Sequence, residues 1–237
     1  MGRIFEKRKH RMFARYDKMS KAFTRIGKEI AIAVKQGGPD VNTNPRLRAA
    51  VQNGKAHNMP KERVEAAIKR ASSKEEKAFE ETVFEGYGPH GVAVLVETAT
   101  ENNTRTVANI RMHFSRGNGS LGKTGSLDFL FERKGIFQVA KPADISLEDL
   151  ELDLIDFGAE EILQEEDGIY IYTNFSDFGK MQKALEERKI EVLKTAKERF
   201  PATTVSVTPE QKEEVIKLIE ELEEDEDVQA VFHNMEE

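Results

Sequence analysis

Apolar residues recur along the chain with two periods, and the changes of period mark out its elements. Phe23, Ile26, Ile30, Ala33 and Val34 fall on one face at three- and four-residue spacing, which predicts a helix stopped by Gly37-Gly38-Pro39. Leu47, Ala50 and Val51 give a second helix, with Asn44 as its cap and Pro45 at the first position, where a missing N–H costs nothing. Val64, Ala67, Ile68 and Ala71 give a third, opening around Asn58-Met59-Pro60. The period then shortens. Val92 to Val96 is a β-branched, apolar run that predicts a buried strand. Asn102, Asn103 and Thr104 offer capping oxygens to a helix carrying Val107, Ile110 and Phe114, and Gly117 stops it. Leu127, Phe129 and Phe131 alternate with their neighbours as a further strand.

From Gly135 the pattern restarts. Ile136, Phe137 and Val139 predict a strand, and Ser146 with Asp149 caps a helix through Leu147, Leu150, Leu154 and Phe157. Ile162-Leu163 and Ile169 to Tyr172, around Asp167-Gly168, predict a hairpin. Phe178, Met181, Ala184 and Leu185 predict a helix, and Ile190 to Leu193 a strand. That order, strand-helix-strand-strand-helix-strand, is a ferredoxin-like unit. The last segment is half of one: a strand at Thr203 to Val207, a helix opened by Pro209, and a strand at Val228 to Phe232. The expected fold class is therefore α+β, with an N-terminal three-helix domain over 1–78. A ferredoxin-like domain follows, split between 79–134 and 200–237, with a second one inserted at 135–199.

Several blocks resemble the YebC family of bacterial regulators, whose mitochondrial relatives include a translational activator of a cytochrome oxidase subunit. The matching stretches are NPRLRAAV (44–51), NMPKERVEAAIKRA (58–71), EGYGPHGVAVLVE (85–97), the N-x-R-T of Asn103 to Thr106, G-S-L-x-F-x-F-x-R-K-G (125–135) and DVQAVFHN (227–234). The first twenty residues fit least, because the Ser-Lys-Trp start common in that family is missing and the chain has no tryptophan. The resemblance implies a helical domain followed by two α+β domains. It also implies a regulator of gene expression acting on DNA or, as in the mitochondrial relatives, a translation factor meeting RNA and ribosomal proteins on the ribosome.

Charge sharpens this picture. The net of −7 over 237 residues hides an asymmetry. Residues 1–77 hold 20 Lys and Arg against 8 Asp and Glu, a net of +12; the remainder holds 16 against 35, a net of −19. A basic part joined to an acidic part is a signature of contact with polyanions. Arg8, Lys9, Arg11, Arg15, Lys21, Arg25, Arg46 and Arg48 are the expected phosphate contacts. With them go Lys61, Arg63, Lys69 and Arg70 on the third helix, which a helix-turn-helix arrangement would present to a major groove. Base readout needs side chains such as Asn, Gln or Arg held at base edges, and none is identifiable from the sequence, so phosphate contact without sequence readout is the expectation. An adaptor whose acidic domains recruit a basic protein is the alternative from another class.

The acidic part adds two candidates. Asn103 and Arg105 sit where a strand hands over to a helix, and a helix N-terminus with an arginine fork suits phosphate. Gly117 to Thr124 satisfies G-x-x-x-x-G-K-[ST], with Lys123 in the lysine position. A phosphate-binding loop of that kind needs a strand before it and a helix after it, and here the predicted order is reversed, so nucleotide hydrolysis is not expected. Lys123 remains a candidate for a nucleic-acid phosphate. The five histidines are scattered and there is no cysteine, so neither a metal site, a cofactor nor a thiol nucleophile is expected, and no small-molecule substrate is evident. No apolar run reaches twenty residues, and no apolar stretch follows the basic N-terminus. A cytoplasmic, non-enzymatic protein without a membrane partner is the expectation.

Overall fold

The computed structural model describes residues 22–73, 77–141 and 146–236, which fold as two compact units. One comprises residues up to Lys28, Lys77–Glu132 and Phe200–Glu237; the other comprises Glu29–Glu76 and Arg133–Arg199. The helical residues after Lys28 thus pack as one body with the segment 133–199. The fold class is α+β, with a four-stranded sheet in each unit.

The first unit is built on a hairpin of β1 (Glu80–Tyr87) and β2 (Ala93–Thr100), in register from Glu80↔Thr100 to Tyr87↔Ala93. The turn between them places His90 at φ 61°. β3 (Ser120–Leu121) pairs with the free edge of β1, and β8 (Val228–His233) pairs with β2, giving the order β3-β1-β2-β8. Helices α4 (Asn103–Arg116) and α7 (Pro209–Glu224) cover one face. Their Ile110, Phe114, Val215, Leu218, Ile219 and Leu222 pack with Phe84, Val92, Val94 and Val96. The other face is covered by Leu127 and Phe131, which pack on Ala93, Leu95 and Phe232. With both faces of β2 buried, Val92 to Val96 has no solvent side to make polar, which accounts for the uninterrupted apolar run.

The alternation at Leu127 to Phe131 proves not to be a strand. Asp128–Leu130 is a 3₁₀ turn that tucks Leu127 and Phe131 under the sheet and leaves Phe129 76% exposed. The strand expected at Thr203 to Val207 shrinks to one bridge, Val205↔Met235, held by the Val205 N–H on Asn234 O (2.8 Å) and the Glu236 N–H on Val205 O (2.8 Å).

The second unit holds most of α1 (Ala22–Gly37), with α2 (Pro45–Ala56) and α3 (Lys61–Ala71). Asn44 caps α2 as its position predicts: its Oδ1 accepts from the Leu47 N–H at 3.0 Å, and its Nδ2 donates to Ala33 O and Gly38 O. The turn to α3 runs through Asn58 at φ 56°, a left-handed angle that asparagine tolerates, with Met59 buried beneath it. β4 (Phe131–Val139), α5 (Leu147–Ile155), β5 (Ala159–Glu165), β6 (Gly168–Asn174), α6 (Phe178–Glu187) and β7 (Val192–Pro201) follow in the expected ferredoxin-like order. The sheet order is β5-β6-β4-β7. Its helix-covered face is apolar, with Phe137, Val139, Ile169 and Ile171 against Leu150, Leu154, Met181 and Leu185. The Ser146 cap forms, accepting from the Asp149 N–H at 3.1 Å.

Candidate nucleic-acid interface

The cations named from sequence meet three fates. Arg8, Lys9, Arg11, Arg15 and Lys21 lie outside the described residues. Of the rest, a first group is engaged inside the protein. Arg25 is buried, and its Nη2 donates to Glu223 O in the last turn of α7 at 2.8 Å. A cation at a helix C-terminus answers the partial negative charge of the free carbonyls there. Lys28, three residues on, donates to Ala99 O (2.8 Å), Glu226 O (2.7 Å) and Asp227 Oδ1 (3.1 Å). In the second unit, Arg46 grips Glu29 with both ends of its fork, Nε to Oε1 and Nη2 to Oε2, each at 3.0 Å. Arg48 donates to Val41 O and Asn42 O and pairs with Glu186.

Arg105 and Asn103 form a mixed case at the N-terminus of α4. Asn102 is the cap, accepting from the Arg105 N–H at 3.2 Å. Asn103 Nδ2 donates to Glu80 Oε1 at 3.0 Å. The Arg105 guanidinium donates through Nη2 to Asp227 Oδ2 at 2.7 Å, yet its side chain remains 57% exposed. Asp227 is the hub of this corner. It also receives the hydroxyls of Thr106 (2.8 Å) and Thr100 (3.2 Å) on Oδ2. Burial alone would raise its pKa, but the hydrogen bonds from Arg105, Thr106 and Lys28 outweigh burial and hold it below the usual carboxylate value.

The last group faces solvent. On α3, Lys61, Arg63, Lys69 and Arg70 are all exposed, while Val64 and Ala71 turn inward. Lys61 makes only a loose i,i+4 pair with Glu65 at 3.6 Å. Seven residues apart, Arg63 and Arg70 stand on one line of the helix, with Ala66 and Ala67 between them. Lys123 is also exposed. So are Arg111 and Arg116 on the outer side of α4, which the sequence reading had not singled out. The signal that could have found them is an absence: residues 102–127 hold Arg105, Arg111, Arg116 and Lys123 but not one Asp or Glu.

The loop at Gly117 to Thr124 follows α4 and contains β3, so its polarity is the reverse of a nucleotide-binding loop. Its glycines answer to packing. A Cβ at Gly117 would meet Leu218 at 2.8 Å, and one at Gly119 would meet Tyr87 O at 2.5 Å. Just beyond, the backbone N–H groups of Gly125 and Leu127 converge on an anion, but that anion is the buried carboxylate of Glu85, at 2.7 and 2.6 Å. Among the described residues no cluster of His, Asp and Glu could hold a metal ion, and no helix is long and apolar enough to cross a membrane.

A family model described as the TACO1/YebC protein N-terminal domain matches residues 3–74, and one described as the TACO1/YebC second and third domain matches residues 79–235. The chain belongs to the TACO1/YebC family. Relatives span it end to end. A protein of Cytophaga hutchinsonii is 60% identical over 235 residues, covering 99% of this chain and 98% of its own length, and one of Parabacteroides distasonis is 56% identical over 237 residues, covering 100% and 98%. Both bear the name probable transcriptional regulatory protein. Among solved structures, a conserved hypothetical protein of Aquifex aeolicus superposes with a TM-score of 0.75 at 38% identity, covering 91% of this chain and 89% of that one. Within this TACO1/YebC chain, then, α3 carries four exposed cations, and α4 with the loop that follows it carries four more.

Proposed function

We propose that this chain is a non-enzymatic regulator of gene expression that binds nucleic acid through the basic helical residues of its N-terminal third, with DNA the partner its relatives' name implies. The observation that carries this reading is the outward display of Lys61, Arg63, Lys69 and Arg70 on one eleven-residue helix. Such a row neutralises phosphates and releases their counterions, which is the main source of affinity that does not depend on sequence. The exposed positions between these cations are Glu62, Glu65 and Ala66, with no Asn or Gln among them to pair with adenine, and the cations are taken as phosphate contacts that position the protein.

The test is a salt titration of duplex binding by the full chain and by the variant Lys61→Glu/Arg63→Glu/Lys69→Glu/Arg70→Glu. The variant should lose affinity equally for unrelated sequences, and its slope of log K against log salt should be shallower by roughly 3 to 4, at about 0.9 per phosphate contact. An unchanged slope would overturn the reading. A second reading, contact with RNA during translation, is favoured by the cations of α4 and Lys123, which add contacts outside the helical segment. Crosslinking in cells followed by sequencing separates the two, since the DNA reading requires genomic fragments and the other requires ribosomal or messenger RNA.

A further inference from the structure

Residues 102–127 form a basic island in the acidic part of the chain. The part from residue 78 onward carries a net charge of −19, yet these 26 consecutive residues contain three arginines and a lysine and no carboxylate. Two features of the fold bring the island to the surface. Thr106, Ile110 and Phe114 give α4 its buried stripe, which turns Arg105, Ala108, Met112, Ser115 and Arg116 outward and puts Arg111 on the adjoining flank. Arg105 and Arg116 lie eleven residues apart on one line, about 16 Å at 1.5 Å per residue. Met112 stands between them, 38% exposed, the large apolar side chain on this face. Arg105 keeps one prong of its fork, Nη2, on Asp227, while its side chain is 57% exposed. Arg111 and Arg116 make no ion pair among the described residues.

We infer that the outer side of α4 is a second nucleic-acid contact, and that its ligand is a single-stranded segment, for which single-stranded RNA is the probe. The inference rests on the nucleic-acid reading above and deepens it. The row is one helix wide and convex, so it can follow one sugar-phosphate strand: two arginine forks hold phosphates at its ends, and Arg111 takes a third from the side. Met112 then meets an unstacked base between them, a contact a duplex cannot offer because its bases are stacked inside. Thioether sulfur packs well on aromatic rings, and every base presents such a ring.

Fluorescence anisotropy on the full chain tests this, with a labelled 20-nucleotide single-stranded RNA and a duplex DNA of the same length. The variant Arg111→Ala/Arg116→Ala should bind the RNA about tenfold more weakly, and its salt slope should be shallower by roughly 1.4, at about 0.7 per phosphate on a single strand. Arg111→Lys/Arg116→Lys should restore most of the slope, and both variants should keep the wild-type melting temperature, since the side chains are exposed. Met112→Ala should weaken RNA binding with the slope unchanged. RNA affinity unaffected by the arginine pair, or a loss confined to the duplex, overturns the inference. Run beside the α3 charge reversals, the series separates the two claims. Loss with the α3 variant alone leaves the proposed function standing and sinks the second contact; loss with the α4 variant alone does the reverse.

Discussion

Helices α2 and α3 stand next to each other in the same unit, joined by a four-residue turn, and both are basic by sequence. The two arginines of α2 and the exposed cations of α3 are placed differently. On α2, Arg46 is closed on Glu29 and reaches Gln36 Oε1 at 2.8 Å, while Arg48 is spread over two loop carbonyls and Glu186. Gln182 of α6 also donates to Pro45 O at the start of α2. On α3, Lys61, Lys69 and Arg70 project from the surface beside Arg63. An arginine fork within reach of a carboxylate acts as a cross-link, because two parallel hydrogen bonds and full charge outweigh what water offers the separated groups. Net charge therefore overstates the number of phosphate contacts a basic segment can make. The comparison repeats in the first unit, where Arg25 and Lys28 are engaged and Arg111 and Arg116 are not.

Removing an acceptor should break this division most. Asp227→Asn strips Lys28 and Arg105 of their carboxylate and aims an amide where two hydroxyls donate; it should lower unfolding free energy by about 3 kcal/mol, read by urea denaturation at neutral pH. Because the pKa of Asp227 is depressed in the folded state, its contribution is complete above the unfolded carboxylate value and is lost as pH falls through the folded one. The gap between wild type and variant should thus narrow on acidification, and a gap that widened would remove Asp227 as the hub. Arg46→Ala comes next, at about 1 to 2 kcal/mol, because its pair is partly exposed and solvent screens it. Its affinity for nucleic acid should stay within about twofold of wild type; loss of affinity without loss of stability would move Arg46 into the same group as α3. Smallest in stability is Lys69→Ala/Arg70→Ala, within about 0.5 kcal/mol of wild type. That pair should still flatten the salt slope for duplex binding by roughly 1.8.

What could be read from the sequence follows the range of the interaction. The caps at Asn44 and Ser146 and the apolar stripe of α4 are set within a few residues, and each was legible. So was the strand-helix order of residues 135–199 and its ferredoxin-like reading. The engagement of Arg25 and Lys28 was not, because Glu223 and Glu226 lie 198 residues away. β1 was not expected at all: Glu80 and Glu81 are exposed at its start and Glu85 is a buried carboxylate inside it, so polar residues interrupt the apolar pattern of a strand. The run Leu127-Phe129-Phe131 has the spacing of a strand face, but Phe129 points to solvent because a 3₁₀ turn advances each residue by a third of a turn. Local pattern cannot distinguish a strand in a sheet from a turn laid across the back of one.

Glu85 has a practical consequence for anyone wishing to attach a probe to this protein. The loop beyond β3 is anchored by its own backbone, through the Gly125 and Leu127 N–H groups on that carboxylate and the Gly122 N–H on Glu85 O at 2.7 Å. Anchors of this kind ignore the side chains of the residues between them. Lys123 and Thr124 are exposed, and a cysteine placed at position 124 for a fluorophore should leave the loop's course unaltered.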